Sequence, residues 1–278
     1  MRSGTRWYDR LVHDAQTSGL LLRSATPLDD RTLLVEYGNQ QFQYEADAIR
    51  RVLELAEIYA PSRYRRFVLT SRTAEAYTHS IVYERDALEP WAAASDVAEV
   101  LRRPEVIPPV VPQDPEFTTR YRFPNALVSP NLSLRPYLFD PDSPFRAQAF
   151  LRLNLDVDLG SGFGFTASYI QDIYNQFGGI RRGSDSALPK VRSDVVRYLQ
   201  EGESGIDRLV LTHRGQLASD VYYHAFAGIL EEQYGGAGFE ILHRPFSGRV
   251  GVGLSAIWVR QRGFEKNFEF RDYETVVS

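Results

Sequence analysis

The C-terminal half of the sequence alternates between apolar and polar residues over long runs. From Ala147 to Leu159 every odd position is apolar, and Phe163 to Tyr169 and Val250 to Trp258 repeat this alternation. A period of two residues predicts β-strands with one apolar face. Strands of soluble proteins are usually about five or six residues long, whereas a strand that crosses a bilayer takes about nine to eleven. The longer runs therefore favour membrane-spanning strands.

About nine strands are predicted in this half, joined mostly by short turns such as Gly160-Ser161-Gly162. Consecutive strands with short turns predict an antiparallel up-and-down meander, here part of an outer-membrane β-barrel. An odd and unclosed set of strands suggests a fragment of a longer chain, and the opening Met1-Arg2-Ser3-Gly4 begins no signal peptide. The predicted strands are Thr119–Phe123, Leu132–Phe139, Ala147–Leu159, Gly162–Tyr174, Arg208–Leu217, Val221–Glu231, Gly238–Arg244, Arg249–Arg262 and Phe268–Val277.

The first 103 residues switch between helical and strand periods. A first helix is predicted to end near Gly19, and a second helix is stopped by Pro61. The apolar positions that predict these helices are Trp7, Leu11 and Ala15 in the first, and Ile49, Val52, Leu53 and Ala56 in the second. Strands are predicted at Leu20–Ser24, Thr32–Tyr37, Arg66–Ser71 and Ser80–Arg85, and a last helix by Leu88, Trp91, Ala92 and Leu101. This order predicts a small two-layer α/β domain, so the fold class of the whole chain is α+β.

Two segments of the sequence lack a regular pattern and separate the predicted elements. Five prolines within residues 104–116 predict a linker between a domain at 1–103 and the strands of 117–278. A long insertion at 175–206 interrupts the strands, and Val191, Val195, Val196 and Leu199 after Pro189 predict a short helix in it. Loops of this length are uncommon and often functional. If all nine strands are counted, the insertion lies on the same side of the sheet as the N-terminal domain. A count with one strand fewer places the insertion on the opposite side.

Composition narrows the possible functions. The chain has no cysteine, which excludes disulfides, thiolate nucleophiles and cysteine-ligated metals. All but two of the 32 basic residues are arginine, yet 36 acidic residues outnumber them, which argues against nucleic acid as a partner. No apolar run reaches the length of a membrane-spanning helix. The 16 Phe and 16 Tyr suit the aromatic girdles of a β-barrel.

Carboxylate pairs are the first candidates for chemistry, because sugar hydrolysis uses two carboxyl groups about 5 to 10 Å apart. Asp156 and Asp158 share one strand face, and Glu231 and Glu232 lie at a strand end. The first pair is better explained as part of a solvated interior face near a turn. Asp140 and Asp142 lie in a turn whose backbone donors they would cap.

Histidines and glycines predict no further site. Pairing His213 with His224 would turn Arg214 toward the apolar face, whereas pairing His224 with Arg214 keeps both faces consistent. The glycine clusters at 160–164 and 235–238 lie between strands, whereas a phosphate loop joins a strand to a helix. The sequence therefore assigns no catalytic, metal-binding or cofactor-binding residue, and no cofactor.

Basic residues of the insertion are candidates for contact with an anionic polymer or a partner protein, although nearby acidic residues offset them. Polar strand residues that would face a barrel interior complete the candidate set. The candidates are Arg181, Arg182, Lys190, Arg192 and Arg197 in the insertion, and Arg152, Asp156 and Asp158 in the strands.

Several stretches of the sequence match the pattern of one known family. In the N-terminal region they are Tyr37-Gly38-Asn39, Ala48-Ile49-Arg50 and Tyr59-Ala60-Pro61. The more specific stretches are Leu188–Tyr198, Gly235–Leu242 after Leu230-Glu231 and before Arg244-Pro245, Val259–Arg262 and Arg271–Tyr273. Together they resemble the YjbH/GfcD-like outer-membrane proteins of Gram-negative exopolysaccharide and capsule clusters. The resemblance covers nearly the whole chain, with one departure at Glu232-Gln233-Tyr234, where Met and Phe are expected.

The resemblance implies an outer-membrane β-barrel protein or lipoprotein that assists export or assembly of an extracellular polysaccharide, with its α/β domain in the periplasm. The implied partners are outer-membrane lipid, the polysaccharide and periplasmic proteins of the same secretion system. The family offers no catalytic residues to transfer to this chain. Two alternatives stay open: a docking protein that recruits periplasmic partners, and an enzyme that modifies the polysaccharide with interior carboxylates.

Overall fold

The computed structural model describes residues 5–73, 75–85, 105–121, 123–140, 143–180 and 194–277. The chain divides into two compact units, one of Met1–Tyr121 with Pro245–Arg249 and one of Arg122–Arg244 with Val250–Ser278. Within the described ranges no helix is long and apolar enough to cross a membrane.

In its described residues, the first unit packs two helices on a six-stranded sheet. The strands are ordered β5-β4-β3-β2-β1-β6; β2 and β3 run parallel, and every other neighbouring pair is antiparallel. Helix α2 forms the crossover between the two parallel strands. The elements are α1 (Thr5–Thr17), β1 (Leu20–Pro27), β2 (Thr32–Asn39), α2 (Glu45–Tyr59), β3 (Arg66–Thr73), β4 (Ala76–Glu84), β5 (Glu105–Ile107) and β6 (Phe117–Thr118).

The helical spacing of α2 is what builds the core of this unit. Ile49, Val52, Leu53 and Ala56 lie on one face and are almost fully buried in the same cluster as Leu33. Both predicted helices and all four strands predicted before residue 86 are confirmed. The predicted last helix, at 88–101, lies outside the described residues.

Two segments near residue 110 differ from the predicted irregular linker and first meander strand. Glu105–Ile107 pairs with β4, although it lies inside the predicted linker. The strand predicted at Thr119–Phe123 is wrong, because Phe117–Thr118 pairs with β1 instead and the Thr119 amide donates to the Arg23 carbonyl at 2.8 Å. The aromatic ring of Phe117 packs on Trp7 and Tyr8, which keeps this segment with the first unit.

The second unit is an antiparallel up-and-down sheet of eight strands in the order β14 to β7, which confirms the predicted meander with one strand fewer. The sheet is open: in the described residues β7 and β14 are edges, and no closed barrel forms. The strands are β7 (Asn125–Asp140), β8 (Ser143–Gly160), β9 (Phe163–Asn175), β10 (Gly205–Ala218), β11 (Val221–Ile229), β12 (Tyr234–His243), β13 (Val252–Arg262) and β14 (Phe270–Val277). A 3-10 turn (Phe177–Gly179) and helix α3 (Val195–Gln200) lie in the insertion.

The loops of this sheet gather at two ends. At the entry end the chain enters at Asn125, and residues 161–162, 219–220 and 244–251 connect strands. At the insertion end residues 141–142, 176–204, 230–233 and 263–269 connect strands. Because the chain crosses the sheet three times before the insertion, the insertion lies opposite the entry end. The expectation from nine strands, that it returns to the entry side, is therefore reversed.

Candidate functional site

One face of the C-terminal sheet is apolar across all eight strands. Paired residues form a continuous row, one residue from each strand, and no member of the row is polar. The row consists of Ala126, Val157, Phe165, Leu211, Ala227, Ala237, Trp258 and Val276. Side chains that lie directly opposite each other in a pair point to the same face, so the alternation within single strands becomes one apolar surface.

This apolar face is uncovered in the described part of the chain. Leu132, Leu134 and Leu254 are 75%, 76% and 72% exposed. A single exposed leucine is ordinary, but a contiguous apolar patch larger than several hundred Å² marks a membrane or protein contact. An uncovered apolar face that crosses eight strands is therefore a candidate contact surface.

The height of the apolar face can be compared with a bilayer. In β8 the apolar positions run from Ala147 to Leu159, and their partners in β7 run from Pro136 to Ala126. Twelve residue steps at about 3.4 Å give ~41 Å along the strand, and a tilt of about 45° reduces this to ~29 Å. The apolar band of outer-membrane barrels is about 25 Å tall, so the apolar positions of β8 are long enough to span it.

The opposite face carries the polar strand residues, which hydrogen-bond one another beside buried apolar side chains such as Phe150 and Ile170. Ser168 donates to Asn154 at 3.0 Å, and Gln148 donates to Asp172 at 2.7 Å across β8 and β9. Farther along the sheet, His224 contacts Glu240 at 3.2 Å. We call this the polar face.

A buried ionic cluster covers part of the polar face near the insertion end. Arg135 of β7 forms a bidentate ion pair with Glu232, and the Lys266 ammonium lies 3.4 Å from the same carboxylate. Close by, the Arg152 guanidinium lies 3.3 Å from the Asp207 carboxylate. The Lys266 side chain has no exposed surface and that of Glu232 is 16% exposed. Each charge in the cluster is thus paired, as buried charges must be.

The contact between Arg135 and Glu232 shows that the sheet is curved. Strands β8, β9 and β10 lie between β7 and β11, the strand that precedes Glu232. At about 4.8 Å per strand this separation is ~19 Å along the sheet, farther than the two side chains reach together. The polar face must therefore be concave and the apolar face convex.

Arg262 ties the loops of the insertion end to this cluster. Its fully buried guanidinium donates to the carbonyls of Ile206, Glu231 and Asn267 at 2.9, 2.9 and 3.0 Å. The Tyr198 hydroxyl of α3 donates to the Arg262 carbonyl. One arginine therefore holds four chain segments together, including the described helix of the insertion.

Burial and charge set the protonation of the two cluster residues that lie in loops. Burial by itself would raise the pKa of Glu232, but Lys266 and Arg135 outweigh it and hold that pKa below its ordinary value. Burial lowers the pKa of Lys266, and the nearby Glu232 carboxylate opposes this shift in part. Glu232 is therefore an ionised anchor for two cations at neutral pH.

The candidate site residues identified from the sequence do not come together at one site. Arg152 joins the cluster, while Asp156 and Asp158 are exposed and accept hydrogen bonds from Thr166 and the Gly160 amide. Arg197 bonds Glu201 at 2.8 Å and lies over the Phe264 ring, so its charge is used within the insertion. Arg181, Arg182, Lys190 and Arg192 lie outside the described residues.

The histidine register is confirmed. His224 pairs with Arg214, and His213 pairs with Ala225 and stacks on Phe163 at 4.0 Å. The two imidazoles therefore lie on opposite faces. The described residues contain no group of three His, Asp or Glu side chains that could hold a metal ion.

Sequence reasoning missed most of the ionic cluster. Glu232 was considered only as a partner of its neighbour Glu231, while Arg135, Asp207, Arg262 and Lys266 were not singled out. Period-two alternation gives no information about loop residues, and Lys266 lies in a loop with a positive φ of 55°. Its one signal is rarity, because it is one of two lysines in the chain.

Comparison with known proteins agrees with the resemblance of the quoted stretches. The model of a family named YjbH, described as "Exopolysaccharide biosynthesis protein YbjH", matches residues 5–278. A protein of Escherichia coli K12 named "Uncharacterized lipoprotein YjbH" is 33% identical over 103 residues, which are 36% of this chain and 15% of that protein. The match thus spans a small part of the relative. No solved structure gives a significant match.

Proposed function

The chain belongs to the YjbH family of exopolysaccharide biosynthesis proteins, and from that premise we propose that its C-terminal sheet is part of an outer-membrane β-barrel. The barrel assists export or assembly of an extracellular polysaccharide or capsule. The N-terminal α/β domain lies in the periplasm, where it meets proteins of the same secretion system. The lipoprotein name of the E. coli relative supports a location in the cell envelope.

The observation that carries this proposal is the apolar row that crosses all eight strands at paired positions. A sheet whose convex side faced water would carry polar residues at these positions and apolar residues on the concave side. A membrane barrel needs an apolar outer surface and a polar interior, and the curvature puts the polar face inside. The open edges of β7 and β14 are where further strands would pair to close the barrel.

The loops support one orientation. Outer-membrane barrels have short periplasmic turns and longer extracellular loops. The entry end has two-residue turns at 161–162 and 219–220 and an eight-residue loop at 244–251. The insertion end has short connections at 141–142 and 230–233, the loop 263–269 and, at 176–204, the longest connection of the sheet. The entry end, which follows the α/β domain in the chain, is then periplasmic. The insertion and the ionic cluster lie toward the cell exterior.

We assign polymer contact to the polar face rather than to a catalytic pair. Asp156 and Asp158 remain exposed on that face toward the entry end, and Arg152 borders them. Glu232 and Asp207 are enclosed by cations, so a polymer would reach neither carboxylate without breaking the cluster. The polar face therefore supports passage or holding of a sugar chain better than its hydrolysis.

Adjacent residues of β13 provide a matched test in the full-length protein. Leu254 lies on the apolar face, and its neighbour Ser255 lies on the polar face opposite Glu240. Leu254→Arg should reduce the amount of protein in the outer-membrane fraction and lower exopolysaccharide output, because a lipid-facing arginine costs about 2–4 kcal/mol at the bilayer centre. Ser255→Arg should leave membrane assembly intact.

Three outcomes separate the alternatives. If Leu254→Arg is as well tolerated as Ser255→Arg, or if the wild type stays in the aqueous fraction, the membrane proposal is wrong. If Asp156→Asn with Asp158→Asn changes polymer chain length but not export, the enzyme alternative is favoured. If deletion of 183–203 abolishes binding of periplasmic proteins without disturbing assembly, the docking alternative is favoured and the proposed orientation is wrong.

A further inference from the structure

An apolar groove of about 520 Å³ lies on the convex face near the insertion end. Small residues of β11 and β12 make much of its floor, since Ala227 faces Ala237 and Gly235 faces Ile229. Its walls are the larger side chains Leu209, Trp258, Phe268 and Phe270. Phe270 can pack here because position 235 is glycine: a Cβ at Gly235 would lie 2.8 Å from the Phe270 ring.

The groove carries one cation, Arg260, at the point where the apolar band ends. Ala237 and Trp258 belong to the apolar row that crosses the sheet. The next row toward the insertion end pairs Gly235, Arg260 and Glu274, so polar side chains begin there on β13 and β14. The Arg260 Nε donates to the Arg271 carbonyl at 2.6 Å, which orients the guanidinium. Its Nη2 lies 3.8 Å from Asp272, a fully exposed carboxylate, so this ion pair is weak.

A second, smaller cavity of about 240 Å³ adjoins the first through Leu209. It is lined mainly by apolar residues and also by Asn154, Ser168 and Arg208. Arg208 pairs with Ser168, which lies on the polar face, so the cation that borders the groove on the apolar face is Arg260. Arginine is suited to this position because its planar fork binds phosphate oxygens in a bidentate manner.

We propose that the groove binds a phosphorylated membrane lipid, with an acyl chain between Trp258 and Phe270 and the phosphate on Arg260. The volume lies within the range of about 300–1,000 Å³ of small-molecule sites. The apolar lining matches a hydrocarbon chain, and the single cation at the end of the band matches an anionic headgroup at the membrane surface. The inference rests on the proposed function, because it requires the convex face to lie in lipid.

The test uses the full-length protein, purified in detergent and delipidated, with dimyristoyl phosphatidic acid as the probe and dimyristoyl glycerol as the same lipid without phosphate. Native mass spectrometry measures the bound lipid. Wild type should prefer the phosphatidic acid, and Arg260→Gln should weaken its binding by roughly tenfold, as expected when a charge-assisted hydrogen bond is lost. Arg260→Lys should retain part of the affinity, and the exposed entry-end variant Arg249→Gln should match the wild type.

A second pair of variants tests the groove itself. Ala237→Leu fills the floor while keeping the face apolar, so it should weaken binding of both lipids. Ala256→Leu, on the same face but outside the groove, should have no effect. The inference is overturned if Arg260→Gln binds the phosphatidic acid as tightly as Arg249→Gln, if the glycerol lipid binds equally well, or if Ala237→Leu alters only self-association.

Failure of this inference is distinguishable from failure of the proposed function. If the protein assembles in the outer membrane and shows no phosphate preference, only the lipid site is wrong. If Leu254→Arg does not impair assembly, the convex face does not lie in lipid and both fail.

Discussion

Arg135 on the edge strand β7 and Glu232 in the turn after β11 form a bidentate ion pair across the polar face, with three strands between them in the sheet. This contact requires the sheet to curve, and it places the carboxylate beside the buried ammonium of Lys266. The insertion end of the sheet is thus closed by charge pairing together with buried apolar side chains such as Phe150 and Tyr198.

Removal of the central carboxylate should destabilise the C-terminal sheet. Glu232→Gln removes the carboxylate that forms ion pairs with Arg135 and Lys266, and loss of one partner of a buried pair costs about 3–5 kcal/mol. Urea unfolding of the full-length protein in detergent measures the change. Glu269→Gln, an exposed carboxylate of the nearby loop, is the matched control and should change stability by less than about 0.5 kcal/mol.

The effect of Lys266 on stability should depend on the Glu232 carboxylate. Lys266→Met removes a buried cation whose only ion pair is with Glu232 in the described residues, while Arg135 still neutralises the carboxylate. We expect the double variant Glu232→Gln/Lys266→Met to be more stable than Glu232→Gln alone, because one uncompensated charge is gone. Equal stability of these two variants, measured by the same unfolding assay, would show that the pair is not coupled.

The stabilisation from Glu232 should depend on pH in a defined direction. Its pKa in the folded state is lowered from the ordinary value of 4.5. A lowered carboxyl pKa means that its stabilisation is fully present above pH 4.5 and is lost as the pH falls through the folded-state pKa. The difference in unfolding free energy between wild type and Glu232→Gln should therefore shrink below pH 4.5. A difference that stays constant down to pH 3 contradicts this assignment.

The end of α2 provides a prediction for the N-terminal unit. Arg85 donates to the carbonyls of Glu57, Pro61 and Tyr64 at 2.8 to 3.1 Å, which satisfies carbonyl groups where the helix ends. Arg85→Met should lower the stability of this unit by about 1–3 kcal/mol. Arg50→Met, which removes only an exposed pair with Glu54, should cost less than about 0.5 kcal/mol. Hydrogen exchange of α2 amides compares the two variants.

The sequence by itself determined the strands and their faces. Alternation from Ala147 to Leu159 requires a strand with one apolar face, and the spacing of Ile49, Val52, Leu53 and Ala56 requires a helix, because both periods follow from backbone geometry. Consistency between faces also predicted the pairing of Arg214 with His224, which the structure confirms. The family followed from residues such as Gly235–Leu242, in which both the pattern and the residue types match.

Only the tertiary structure decided the rest. Whether Phe117 begins the meander or joins the first sheet depends on a contact with Trp7, more than a hundred residues away, and this one difference reversed the side of the insertion. The ionic cluster likewise joins Arg135, Glu232 and Lys266 from separate strands and loops. Local patterns carry the period of a backbone, but they carry no information on curvature, and it is curvature that brings these charges together.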